Sequence, residues 1–209
     1  MTENLAFKDG KWTEKWFDQN IEAWTEAIDG YKKYEGDIKS VLEIGCFEGR
    51  ATVWLCNTVP TIEKYTVIDT FKGSLEEKGM ERAKDNLTKN ESHIRSNFEH
   101  NISKFRDKID FTIVEGESQS MLHDIKGKYD FIYIDGSHRS DDVFIDAYWA
   151  DKLLNVNGIM IFDDFGWTNP DSELLIDSPG FGIGEFLTIH THDYNIFLRG
   201  YQLGIQKTK

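Results

Sequence analysis

The chain has 209 residues and a mass of 24.2 kDa, enough for one domain with a full core. Thirty-seven acids against 24 Lys plus Arg give a formal net charge of -13, which disfavours nucleic acid and anionic membrane surfaces as partners. Two cysteines, Cys46 and Cys56, make neither a disulfide framework nor a zinc set. With no charged-then-apolar leader and no apolar run long enough to cross a bilayer, the expectation is a soluble, cytoplasmic protein.

Residues 1–38 precede the first strand. Trp12, Trp16, Phe17, Ile21, Trp24 and Ile28 recur at helical spacing and predict an N-terminal helical cap of one or two amphipathic helices. The plain expectation is an aromatic stripe packed on the sheet; a lid over a substrate pocket is the alternative. Residues 39–209 then run without repeat, low-complexity tract or linker.

Val41-Leu42-Glu43-Ile44 is an apolar run holding one acid, interrupted by Gly45 and Gly49, with helical spacing resuming at Ala51, Val53, Trp54 and Leu55. This predicts a buried parallel strand, a tight turn and a helix. Gly45 allows the chain to reverse where a side chain would clash, and Gly49 allows backbone and ligand to approach closely. Open α/β sheets bind small ligands at such a turn.

The run Tyr65–Asp69 predicts a second strand ending in an acid, placed to accept both hydroxyls of a ribose or to cap the next loop. The polar segment 71–108 predicts helices near 78–90 and 92–106, the second from Ile94, Phe98, Ile102 and Phe105. Phe111–Val114 predicts a third strand, followed by Ser118 and Gln119, of which Ser118 can also cap a helix.

Tyr129–Asp135 predicts a strand running into Gly136-Ser137-His138, followed by a helix with Val143, Phe144, Ala147, Tyr148, Ala150 and Leu154 inward. Gly158–Phe162 predicts the next strand, ending in Asp163-Asp164. Asp135, Asp163 and Asp164 thus reach one sheet edge, where unpaired carboxylates raise one another's pKa. A hard divalent cation such as Mg²⁺ resolves that conflict; a solvated acidic rim or helix caps are the alternatives. A helix near 180–191 precedes two runs, 194–198 and 201–206, close enough to form only a hairpin.

In combination these residues resemble the class I S-adenosylmethionine-dependent methyltransferases. The turn matches acid-x-Gly-x-x-x-Gly and departs from the dinucleotide fingerprint, because Cys46, Phe47 and Glu48 separate its glycines. IDGSH at 134–138, LLNVNGIMI at 153–161 and Asp163-Asp164 resemble the metal-dependent O-methyltransferase branch, in its macrocin O-methyltransferase and cephalosporin hydroxylase-like group. Asn157 stands where a first glycine is usual, and the resemblance spans 39–207 without 71–108.

The resemblance implies a Rossmann-like seven-stranded sheet, mostly parallel with an antiparallel last strand and helices on both faces. It implies S-adenosylmethionine on Glu43, Gly45, Cys46, Phe47, Gly49, Asp69, Ser118, Gln119 and Asp135, with Mg²⁺ or another hard divalent cation on Asp135, Asp163 and Asp164. His138 becomes the general base, or a hydrogen-bonding partner of a ligating carboxylate. The implied acceptor is a small hydroxylated molecule such as a sugar, polyol or catechol-like diol; a homo-oligomer is allowed. Rival readings are an NAD-dependent oxidoreductase, disfavoured by the missing middle glycine, and a cofactor- or metal-binding protein without methyl transfer. A hydrolase lacks its Gly-x-Ser-x-Gly elbow.

Overall fold

The structure, a computed structural model, describes residues 5–73, 93–169, 172 and 174–209. Its strands are β1 (Ser40–Ile44), β2 (Lys64–Asp69), β3 (Asp110–Glu115), β4 (Tyr129–Ile134), β5 (Leu154–Phe162), β6 (Tyr194–Arg199) and β7 (Leu203–Lys207). They form one seven-stranded sheet in the order β3-β2-β1-β4-β5-β7-β6. The first five run parallel, and β7 is antiparallel to both β5 and β6. This is the Rossmann-like sheet, mostly parallel with an antiparallel last strand, that the resemblance implies.

Period-two alternation explains why the central strands read as almost continuously apolar. Val41, Phe131, Tyr133, Ile159 and Ile161 face one core, and Leu42, Ile44, Ile132, Ile134, Met160 and Phe162 face the other. The first core is closed by α1 (Ile21–Tyr34), α2 (Arg50–Thr58) and α3 (93–102). The second is closed by a single turn, α4 (Ser118–Met121), together with α5 (Ser140–Leu153) and α6 (Pro179–Ile189). No helix among the described residues is long and apolar enough to cross a membrane.

The aromatic N-terminal stripe packs on the sheet. Trp24 is buried, with its ring centroid 4.7 Å from Tyr133 and 6.0 Å from Trp54. Trp16, on a short 3-10 turn (Trp16–Asn20), stays 52% exposed beside Phe47. Among the described residues there, only α1 is a full helix, so the predicted cap is partly 3-10 and irregular chain.

The helix predicted near 78–90 lies outside the described residues, whereas the one near 92–106 appears as α3 and a 3-10 turn (Ser103–Phe105). Strand β5 begins at Leu154, four residues before the predicted Gly158, because it pairs with Tyr129 across a register shift. Within that irregular stretch Asn157 holds φ 67°, a left-handed conformation that asparagine tolerates better than most residues.

Candidate active site

Strands β1 to β5 all end at one edge, and the turn after β1 is shaped by its neighbours. Gly45 has φ 81°, and a Cβ there would sit 1.9 Å from the Asp135 carbonyl oxygen, so only glycine lets the ends of β1 and β4 pass this closely. Gly49 has φ 79°, and the group closing on it is the Phe98 ring of α3, 2.7 Å from a built Cβ. The close approach that sequence assigned there to a ligand is therefore made by the protein. Between them Phe47 holds φ 48°, an unfavourable value for an aromatic residue and a form of strain that gathers at binding sites.

Asp69, at the tip of β2, organises this turn. Its Oδ2 accepts from the backbone N–H groups of Cys46 (2.7 Å) and Phe47 (2.8 Å), and its Oδ1 from that of Phe71 (2.6 Å). A carboxylate has about four acceptor positions, so one is left for a further hydroxyl. Those two turn amides are thereby withdrawn from any phosphate, so the site suits a nucleoside without one better than a dinucleotide.

Glu43 stands below the turn. It is buried, accepting from the hydroxyls of Thr52 and Tyr65 (both 2.6 Å), and burial pushes its carboxyl up to about 7. Burial likewise raises the thiols of Cys46 and Cys56, both free, which leaves them protonated and unreactive.

Asp135, Asp163 and Asp164 do meet at the edge. The Tyr133 hydroxyl lies 2.6 Å from Asp163 Oδ2 and 3.0 Å from Asp135 Oδ2. Asp163 also accepts from the Gln202 side-chain amide (3.1 Å) and from the Asp164 N–H (2.9 Å). Asp135 stays open to solvent along one side, yet protein packed around it and the charges of Asp163 and Asp164 push its carboxyl well above the ordinary range. Desolvation and Asp164 raise Asp163 too. One hydroxyl proton cannot serve two carboxylates at once, so the pair is relieved only by a further proton or a cation.

Asp164 holds φ 55°, which turns its side chain to His138, with Nε2 and Oδ2 2.9 Å apart. The Tyr201 hydroxyl donates to its other oxygen. The Trp167 ring lies on the imidazole at a centroid distance of 4.5 Å and an interplanar angle of 33°. A histidine held by a carboxylate and backed by an aromatic face can take up a proton in a fixed orientation.

The family described as "Methyltransferase domain" matches residues 42–165, from the glycine turn through the acidic edge. The chain belongs to this methyltransferase family. Among solved structures, the O-methyltransferase NovP is 15% identical with a TM-score of 0.61, covering 91% of this chain and 79% of that one. The O-methyltransferase TomG from Streptomyces achromogenes, solved with S-adenosylmethionine (SAM), is 16% identical with a TM-score of 0.59, covering 83% and 74%. The Podospora anserina methyltransferase PaMTH1, bound to S-adenosylhomocysteine (SAH), is 16% identical with a TM-score of 0.58, covering 98% and 92%. At these identities the likeness establishes the fold, which is that of the class I methyltransferases. A search of curated proteins finds no match.

The methyltransferase brings Gly45, Cys46, Phe47, Asp69, Asp135, Asp163, Asp164 and His138 to one edge, with Glu43 beneath it. Ser118 and Gln119 open α4 just after β3, and both bond to Asp146 of α5. Among the described residues, no three His, Cys, Asp or Glu side chains are set to hold a metal ion.

Sequence reasoning missed Tyr133, Gln202 and Asp146. Tyr133 was within reach, since it lies two residues before Asp135 and so on the same face. Asp146 also left a trace, as an acid on the inward stripe of Val143, Ala147 and Ala150. Gln202 left none: 39 residues separate it from Asp163, and the antiparallel pairing of β7 with β5, Phe162 opposite Leu203, brings them together.

Proposed function

We propose that this methyltransferase uses S-adenosylmethionine to methylate an oxygen of a small hydroxylated acceptor. The observation that carries this is the His138–Asp164 pair, 2.9 Å apart, at the edge where a glycine turn has lost two amides to Asp69. Asp69 keeps an acceptor position for a ribose hydroxyl, and this reading assigns the adenine edge to Ser118 and Gln119. When bound, the cofactor supplies a methyl group on a positively charged sulfur. His138 would take the acceptor's hydroxyl proton as the methyl group passes from the cofactor's sulfur to that oxygen, leaving the neutral thioether of SAH, and Asp164 would stabilise the imidazolium and hold its orientation. Trp167 shields one ring face from water.

Calorimetry with SAH and with NADH tests the cofactor: tight binding of the first and none of the second is expected, and the reverse would sink the proposal. Transfer from labelled SAM to a panel of catechols, sugars and polyols tests the acceptor. His138→Ala should lower kcat by about 10²–10⁴-fold while SAH affinity holds; an unchanged rate and pH profile would remove the base.

A divalent cation is a second reading, favoured by the mutual repulsion of Asp135, Asp163 and Asp164. Their oxygens suit Mg²⁺ in kind. As placed, they are engaged by Tyr133, Gln202, Tyr201 and His138, and a cation would have to displace some of these partners. Activity lost to EDTA and restored by Mg²⁺ supports this reading; a chelator-insensitive rate discards it.

A further inference from the structure

Asp146 is buried in α5 and takes no part in the chemistry above. The residue sits behind the site: a Cβ built on Gly136 would lie 3.6 Å from its Oδ2, so the glycine after Asp135 leaves the room it occupies. Two polar groups bond to its carboxyl. Ser118 Oγ donates to Oδ2 at 3.0 Å, and Gln119 Nε2 donates to Oδ1 at 3.2 Å. The same Nε2 also donates to Ser118 Oγ at 3.0 Å.

Burial pushes the Asp146 carboxyl up to about 7, so above that pH it offers only acceptors, and donor counting then decides which way Gln119 faces. A primary amide has two N–H groups and one carbonyl oxygen. Both N–H groups point inward, to Asp146 and Ser118, which turns Oε1 away from them. Gln119 is half-buried, so part of this side chain still reaches solvent just past the carboxyl-end edge of the sheet, where β3 gives way to α4. The Ser118 proton is committed as well, leaving this hydroxyl no proton to give a ligand. Without Asp146, nothing in this trio prefers amide nitrogen over oxygen on the inner side.

We infer that Asp146 is a positioning residue that sets Gln119 as a hydrogen-bond acceptor toward the cofactor's base, selecting a purine with a 6-amino group over one with a 6-oxo group. The inference rests on the S-adenosylmethionine reading of the site. An adenine amine would donate to Oε1, whereas a hypoxanthine carbonyl would meet another acceptor. A polar group left facing its own kind in a buried site loses its hydrogen bond and carries a desolvation penalty.

The test is calorimetric binding of SAH and of S-inosylhomocysteine to the whole chain at pH 8, where the Asp146 carboxyl is ionised, with folding followed by circular dichroism. Wild type should prefer the adenosyl compound by about 10²-fold, and Asp146→Asn should cut that preference to less than about tenfold, mainly by weakening SAH. Gln119→Leu should do the same with Asp146 intact, and the double variant should be no worse than Gln119→Leu, since both act through one contact. If wild type binds neither compound, the cofactor reading fails. If it binds SAH and Asp146→Asn keeps full discrimination, the cofactor reading stands and this inference is overturned. Should Asp146→Asn not fold, undiminished discrimination in Gln119→Leu overturns it equally.

Discussion

Two aspartates bracket strand β4 and live in opposite company. Asp130, near its amino end, accepts from the N–H groups of Lys39 (2.9 Å) and Ser40 (3.0 Å), the Ser40 hydroxyl (2.9 Å) and the Asn155 side-chain amide (2.8 Å). Asp135, just past its carboxyl end, shares one tyrosine hydroxyl with Asp163 and feels the charges of Asp163 and Asp164. The first acid is surrounded by donors and ties the starts of β1, β4 and β5 together. The second is surrounded by acids, an arrangement that opposes folding and is found where chemistry is done. Same strand, same residue type, opposite work.

Substitution should separate them. Asp135→Asn is expected to lower methyl transfer on the order of 10²-fold by disturbing the site's geometry, while denaturant unfolding finds stability no lower than wild type, because like-charge repulsion is removed. Asp130→Ala should leave kcat unchanged and lower stability by about 2 kcal/mol, since several donors lose their shared acceptor. If instead Asp130→Ala abolished turnover and Asp135→Asn unfolded the chain, the contrast would be inverted.

Glu43 sharpens the comparison through pH. Its folded carboxyl sits at about 7 against an ordinary 4.5 because burial disfavours the charge. The unfolded chain therefore releases this proton at lower pH than the folded chain does. Its contribution to stability is complete below about pH 4.5 and is lost as pH rises through 7, on the order of 1–3 kcal/mol in all. Glu43→Gln should flatten that part of the stability–pH curve; an unchanged slope would mean the carboxyl titrates normally. Smallest of all, Ser40→Ala removes one of the donors to Asp130 and should lower stability by about 1 kcal/mol with activity unchanged.

Much of this was legible in the chain because it is local. The strand, turn and helix from Ser40 to Thr58 follow from a buried apolar run, two glycines and helical spacing, all within reach of nearest-neighbour sterics. The three acids at strand tips and His138 were equally visible. Other features misled. Gly49 looked like room for a ligand and is room for Phe98, because helix α3 returns to the turn from more than forty residues away. Glu43, which the resemblance gives to the cofactor, lies beneath the turn, held by Thr52 and Tyr65.

Hydrophobic period and glycine placement, properties of short stretches, were enough for the parallel sheet, its edge of acids and the turn that opens there. Which oxygen accepts from which donor was settled only once the chain closed on itself: Asp69 on the amides of Cys46 and Phe47, Tyr133 between two aspartates, Gln202 on Asp163, Asp146 behind Gln119. Hydrogen bonds act over about 3 Å and depend on direction. A sequence orders residues along the chain, and directions between distant side chains exist only in the folded state.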